Sequence, residues 1–236
     1  MAKQVLTLPN GQSISYLLEH RSRRTVGLKI TDAGLVVHAP KRIFAYQLNQ
    51  ILAEKSSWIL SKLEARDANQ VDAIQWVDGE HLLFLGQDIQ LEITQGTSNK
   101  APIFEQNKLK ITALQPNNHA VQARKVIQWY HKQAMLDFSR RLAICAAKLG
   151  VATPPLSLSN ARSRWGSCNS RGEVRLNWRL LQAPPHIIQY VICHELAHLK
   201  EMNHSARFYA VLESLFPDYK QAEKDIKRLS PQLHRM

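Results

Sequence analysis

Cysteine is scarce in this chain: three residues, Cys145, Cys168 and Cys193, among 236. They are odd in number and widely spaced, which argues against a disulfide framework and fits reduced thiols. They form no CxxC pair, so they are poor candidates for zinc ligands. No apolar run approaches the ~20 residues that a membrane-spanning helix needs, so no membrane partner is expected. The opening Met1-Ala2-Lys3-Gln4 leads directly into short alternating segments and lacks the apolar stretch of a secretion signal. A cytoplasmic location is therefore expected. Internal repeats and low-complexity stretches are also missing. Acidic residues are in short supply: 19 Asp and Glu face 31 Lys and Arg, a formal net charge of +12. Such a surplus attracts polyanions, and nucleic acid is one candidate partner through the basic surface. Solvated surface lysines are the ordinary alternative. The densest basic run is Arg21-Ser22-Arg23-Arg24, and Arg162, Arg164, Arg171, Arg175 and Arg179 form a second group.

What is present is an ordinary globular composition, with 44% hydrophobic and 21% charged residues. Residues 4 to 38 read as short strands, with a hairpin across Asp32-Ala33-Gly34 and a stop at Pro40. Ala45 to Ala65 has helical periodicity, with Leu48, Ile51, Leu52, Ile59 and Leu63 on roughly one side. After a polar connection at 67 to 77, strands return at His81 to Leu85 and Ile89 to Ile93, joined at Gly86-Gln87-Asp88. A polar loop, Gln95 to Lys100, precedes short strands near Ile103 and Leu109 to Thr112. Pro116-Asn117-Asn118 marks a boundary. Beyond it, His119 to Leu149 reads as one long helix stopped by Gly150. Residues 156 to 181 are strand-like with a turn at 169 to 172, and helices follow from Pro184-Pro185 to about residue 228. The pattern predicts an α+β protein, with a β-rich region carrying one helix over 1–115 and a helix–sheet–helix domain over 116–236.

The chemistry concentrates in His194-Glu195-Leu196-Ala197-His198. Histidines at i and i+4 lie about 40° apart on a helix, so their imidazoles can converge on one metal ion. Glu195 lies about 60° round from His198. There it can reach a metal-activated water and act as general base. The helix has a natural start at Pro184-Pro185. Its apolar stripe, Ile188, Ile192, Leu196 and Leu199, lies nearly opposite the histidine pair, which turns that pair toward a cleft. His204 is the leading third ligand. On a continuous helix it would point about 80° away from His194. A turn through Lys200-Glu201-Met202-Asn203, with Asn203 tolerating left-handed geometry, brings it back. Ser205 then caps a helix carrying Phe208, Val211, Leu212 and Leu215. An acid on that helix, such as Glu213, is the competing ligand. The spacing equals that of the metzincin motif HExxHxxGxxH, but Glu201 stands where that motif has glycine.

A wider set of residues resembles the YgjP-like metallopeptidase family: Arg164-Trp165-Gly166-Ser167-Cys168, Asn177-Trp178, the HELAH run, Asn203-His204-Ser205 and Phe208. The N-terminal half is similar too, in Arg21-Ser22-Arg23-Arg24, Gly34, Ala39-Pro40, Lys55, Trp58-Ile59 and Leu85-Gly86. Tyr209 stands where many members have Trp. The resemblance implies a zincin-like core, related to SprT-like and WLM proteases, made of a long helix, a small antiparallel sheet and the HExxH helix. It implies His194, His198 and His204 as ligands of one Zn²⁺ and Glu195 as base. Residues 173 to 181 alternate in polarity like a half-buried strand. In zincin folds such an edge strand lies beside the metal helix and can pair with an extended peptide; an ordinary sheet strand with a solvated face would show the same pattern.

The expected activity is metal-assisted hydrolysis of a peptide or protein substrate. A second reading keeps the metal and changes the bond, giving a nucleoside triphosphate (phosphoanhydride) hydrolase. A third is a nucleic-acid-associated protease, and a fourth is a non-enzymatic zinc-stabilised binding module. Tyr190 and Arg164 are candidates for stabilising an oxyanion. Trp165 reads as core, and Cys168 and Cys193 as packing residues.

Overall fold

The computed structural model describes residues 2–8, 11–31, 33–68, 72–97 and 100–236. Asp32 of the expected hairpin turn, and parts of the polar stretches at 67–77 and 95–100, lie outside them. The chain forms two compact units, divided after residue 70. The boundary expected at 116 falls inside the second unit. The strands before it share a hydrophobic core with the helices after it: Leu82, Leu91 and Ile111 belong to the same buried cluster as Tyr130, Trp178 and Ile192.

The first unit is a four-stranded sheet with two helices. Strands β1 (Ala2–Thr7), β2 (Ser13–Arg21), β3 (Gly27–Thr31) and β4 (Gly34–Pro40) are arranged in the order β1-β2-β4-β3. The expected β3–β4 hairpin is present, with Thr31 opposite Gly34. Alternation along β4 buries Leu35, Val37 and Ala39. Leu35 and Val37 share a core with Ile14 and Tyr16 of β2 and with the helical residues Leu48, Leu52 and Ile59. The single helix expected over 45–65 is two, α1 (Ala45–Glu54) and α2 (Ser56–Ala68). No glycine or proline near Lys55 marks the break. The periodic core positions run through it, because Ile59 returns to the same core.

The second unit begins with β5 (His81–Phe84), β6 (Gln87–Gln95), β7 (Ile103–Glu105) and β8 (Lys108–Ala113), in the order β5-β6-β8-β7. Both four-stranded sheets therefore have the same plan: two antiparallel hairpins whose inner strands, β2 with β4 and β6 with β8, pair in parallel. Each sheet is followed by a helix. No sequence repeat announces this duplication, because each sheet needs only alternation and turns.

Helix α3 (His119–Leu149) is capped at both ends as its sequence dictates. The Asn118 side chain accepts from the Val121 N–H at 3.3 Å, and Gly150 adopts φ 69° in the left-handed region. At 31 residues it is about 46 Å long. It packs on the 3-10 turn Trp178–Gln182 and on α4 (Pro185–Ala197), with α5 (Ala206–Leu215) and α6 (Tyr219–Leu233) completing the unit. Cys145 of α3 and Cys193 of α4 are free and buried, with their sulfurs 3.1 Å apart.

The small sheet beside α4 is mixed, not antiparallel. Strand β11 (Val174–Asn177) pairs antiparallel with β10 (Gly166–Cys168) and parallel with β9 (Leu156–Ser159). The run expected to form a sheet edge, residues 173–181, is thus central over 174–177. The edge beside α4 is β10. Beyond Asn177 the alternation is misleading. The Asn177 side chain accepts from the Arg179 N–H at 3.1 Å and turns the chain into the 3-10 segment. Trp178, Leu180 and Leu181 are all buried there.

The start of α4 is held by the β5–β6 turn. The Leu85 and Gly86 N–H groups donate to the carbonyls of Leu181 and Gln182 at 2.9 and 3.0 Å. Gly86 has φ 80°, and a Cβ there would meet Pro184 Cα at 2.8 Å. Gly86→Ala is therefore expected to destabilise the protein by about 1–3 kcal/mol, read from the midpoint of urea unfolding. An unchanged midpoint would show that this contact is not constraining.

Candidate metal centre

Helix α4 is buried on most of its circumference: Ile187, Ile188, Val191, Ile192, Leu196 and Ala197 all lie in the core. His194 and His198 occupy the remaining sector, and the chain leaves the helix at His198. The expected return through residues 200–203 is present, but by a different device. Asn203 does not adopt the left-handed conformation. Its side chain accepts from the Ser205 N–H at 3.0 Å. Ser205 in turn caps α5, as expected, by accepting from the Phe208 N–H at 3.4 Å. These two caps place His204 at the junction of α4 and α5.

The three imidazoles meet. One ring nitrogen from each of His194, His198 and His204 lies within 4.8 Å of the others. The Nε2 atoms of His194 and His204 are 3.1 Å apart. Two ligand nitrogens on a tetrahedral zinc are about 3.3 Å apart, given Zn–N bonds of about 2.0–2.1 Å. Two lone pairs so close repel unless a proton or a cation lies between them, so the donor set fits a metal ion. His198 Nδ1 lies 3.2 Å from the Glu201 carbonyl, which fixes that nitrogen as donor and leaves Nε2 free to ligate. Burial, reinforced by the charges of His198 and His204, pushes the His194 pKa down to about 4. Burial also lowers the pKa of His198. His194 is thus neutral near pH 7, the form that ligates. Among the described residues no acid joins these histidines within ligand reach, so Glu213 is not part of the cluster.

Phe208 is the residue whose role the sequence did not disclose. It is fully buried, and its ring centroid lies 5.0, 4.6 and 4.6 Å from those of His194, His198 and His204. It packs against all three rings and limits their rotation. Its position in the α5 apolar stripe is visible in the sequence, but its contact with the histidines depends on the α4–α5 turn.

Glu195 is buried on the side facing β10. Gly166 makes room for it: a Cβ there would collide with the carboxylate. Burial pushes the Glu195 pKa up to about 8, against the opposing charge of Arg164. A cation bound at the histidines would draw this group back toward the carboxylate form. A cavity of about 300 Å³ opens beside it, lined by Arg164, Trp165, Tyr190, His194, Glu195 and Lys227 among others. Trp165 is fixed there by its Nε1–H to Ser230 Oγ at 3.0 Å and by stacking on His234 at 4.5 Å. The preceding loop is tied down by buried Asn177. Its side chain donates to the Ala161 carbonyl at 2.6 Å, and its backbone N–H donates to the Trp165 carbonyl at 2.8 Å. Arg164 stays exposed, with no ion pair among the described residues. Lys227 is paired with Glu223 at 2.6 Å. Arg179, a member of the second basic group in the sequence, is buried and structural: it covers Trp178 at 4.4 Å and bonds to Asn160 and Met236.

Three imidazoles with a buried carboxylate beside them are the equipment of metal-dependent hydrolases. Family comparison gives the same class. The chain belongs to the YgjP-like family: the profile of its metallopeptidase domain matches residues 24–229. Among curated proteins, the chain is similar to the UTP pyrophosphatase of Escherichia coli (strain K12), with 34% identity over 88 residues, 36% of this chain and 53% of that protein. It thus spans about half the length of this curated relative. Two solved structures are similar to parts of the chain. The metallopeptidase zymogen abylysin of Pyrococcus abyssi is 23% identical, with a TM-score of 0.36 over 39% of this chain and 94% of that one. The zymogen jannalysin of Methanocaldococcus jannaschii is 19% identical, with the same TM-score and coverage. No helix among the described residues is long and apolar enough to cross a membrane.

The raised Glu195 pKa has a consequence for stability. Between the usual carboxylate range and about pH 8, the folded metal-free chain holds a proton at Glu195 that the unfolded chain has released. Stability then falls as pH rises through this window. Metal-free Glu195→Gln is expected to be more stable than wild type at pH 8, with the gap closing toward pH 4. Urea unfolding of chelator-treated protein across this range measures it; a pH-independent gap would contradict the burial effect.

Proposed function

We propose that this protein is a zinc-dependent hydrolase, that His194, His198 and His204 hold one Zn²⁺, and that Glu195 is the general base. The observation that carries this reading is the convergence of three imidazole nitrogens beside a buried carboxylate. Three protein ligands leave a tetrahedral ion one open position. When bound, zinc supplies Lewis acidity and a water of lowered pKa. The chain's own residues do the rest. Glu195 takes the proton from the attacking water and returns it to the leaving group. Phe208 and the Glu201 carbonyl hold the ring orientations. Arg164, which lines the cavity, offers a fixed positive charge to a developing oxyanion. Tyr190 is the weaker candidate for that role: its burial raises its pKa, and its ring centroid is 6.0 Å from that of His194.

The first reading of the substrate is a peptide or protein, as in the metallopeptidase family. The outer edge of β10, which pairs with no further strand among the described residues and adjoins Glu195, is where an extended chain would pair. The second reading is a nucleoside triphosphate, cleaved at a phosphoanhydride. Unpaired Arg164 beside aromatic Trp165 favours it, because guanidinium and indole suit phosphate and base; so does the activity named for the Escherichia coli relative. A cytoplasmic location accords with three free cysteines.

Elemental analysis is expected to find about one zinc per wild-type chain and none in a His194→Ala/His198→Ala variant. Glu195→Gln should keep the metal and lose turnover by about 10²–10⁴-fold; retained turnover would remove its role as base. Peptide libraries and nucleoside triphosphates offered in parallel separate the two substrate readings. If nucleotides are cleaved, Arg164→Ala should raise KM for them more than it lowers kcat. No metal in the reconstituted wild type would overturn the whole reading.

A further inference from the structure

A second cavity, of about 500 Å³, lies against the first half of α3 and shares no residue with the one beside Glu195. Its wall is one helical face. Val121, Arg124, Lys125, Trp129 and Lys132 follow the i, i+3, i+4 spacing that stacks side chains on one side. Lys100, from the segment before β7, also lines it. Among the described residues, four cations line this cavity and no carboxylate does. On the neighbouring strand β8, lysines have acidic partners: Lys108 is paired with Glu92 at 3.0 Å and Lys110 with Glu105 at 2.7 Å. Lys100, Arg124 and Lys132 have no ion pair among the described residues. Lys125 is held in place by donating to the Thr112 carbonyl at 2.5 Å.

Gathering four like charges in one concavity costs free energy in the empty protein, and a multiply charged anion recovers it. The apolar part of the wall, Val121 and Trp129, strengthens the field inside by excluding water. The dimensions decide what kind of anion. The volume falls in the range of small-molecule sites, about 300–1,000 Å³. A nucleic-acid strand would also call for exposed rings on which bases stack. Trp129, the one aromatic lining this cavity among the described residues, is only 7% exposed and packs on Phe84 and Tyr130, with centroids 5.0 and 5.1 Å away. The wall therefore offers charge for phosphates and no surface for bases.

We propose that this cavity is a polyphosphate-binding site, recognising the phosphate chain of a nucleoside triphosphate or of inorganic polyphosphate without reading the base. The site is separate from the metal centre, and the inference does not rest on which bond that centre cleaves.

The test is calorimetric titration of the full chain, treated with chelator, using sodium tripolyphosphate, UTP, ATP and a single-stranded oligonucleotide. Tripolyphosphate and both nucleotides are expected to bind with similar affinity, weakening steeply with added salt. Arg124→Glu/Lys132→Glu should weaken this binding at least tenfold. Lys3→Glu/Lys29→Glu makes the same change in net charge within the first unit and should have little effect. If charge reversal unfolds the protein, Arg124→Gln/Lys132→Gln removes the same contacts more gently, with circular dichroism reporting the fold. Absence of tripolyphosphate binding, or equal affinity in the Arg124/Lys132 variants, would overturn the proposal. So would an oligonucleotide that binds at least tenfold more tightly than tripolyphosphate, marking the face as a nucleic-acid surface. A strong preference between UTP and ATP would also count against it, because this wall has nothing to tell bases apart.

Discussion

The contact between Gly166 and the Glu195 carboxylate governs the geometry of the centre. It buries an acid in the wall of the cavity that His194 also lines, and only a residue without a side chain permits the approach. The consequence is electrostatic. The same carboxyl on the open surface would titrate near its ordinary value, whereas here burial raises its pKa to about 8. A cation held at the candidate centre would be coupled to this carboxyl, because its charge would compensate the burial of the acid. The surroundings of Gly166 are built to keep β10 in place. Asn177 ties down the loop before it, β11 pairs with it, and Trp165 is pinned to α6 through Ser230.

The histidines depend on a different set of contacts. The start of α4 is fixed by the β5–β6 turn through Gly86, and its end by the linked caps of Asn203 and Ser205. Phe208 then converts the position of α5 into the orientation of three imidazoles. This is why the strands at 81–113 belong with the HExxH helix and its neighbours in one compact unit: they share its core and position the helix that carries two of the three histidines.

The basic surplus resolves into groups with different physical roles. Arg179 braces the core, Lys108 and Lys110 are neutralised by acids, and Arg164 faces the cavity beside Glu195. The cations of the α3 cavity stand apart because they converge on a concavity that, among the described residues, no acid lines. A net charge of +12 describes none of these differences, since charge counting ignores where side chains end up.

Short-range rules made much of the molecule legible. The capping of α3 by Asn118 and Gly150, the start of α4 at Pro185, the Ser205 cap and the alternating β4 strand all follow from residue types acting within one turn or one pleat. The candidate centre is legible for the same reason: a helix puts residues four apart on one side, and the pattern of His194, Glu195 and His198 carries its chemistry with it. Local pattern misleads where a side chain competes with the backbone, as when Asn177 bends an alternating run into a 3-10 turn. It misleads also where pairing partners are distant. The parallel pairing of β11 with β9, the common plan of the two four-stranded sheets, and the seat of Phe208 among the histidines all join segments far apart in the chain or across a turn. The sequence by itself therefore determined most of the elements, their ends and which side chains are candidates for the centre. Only the tertiary structure decided that Glu195 is buried against Gly166, that Arg179 is structural while Arg164 is exposed, and that four lysine and arginine side chains surround one cavity. Burial and electrostatic environment are properties of neighbours in space, and local sequence does not encode them.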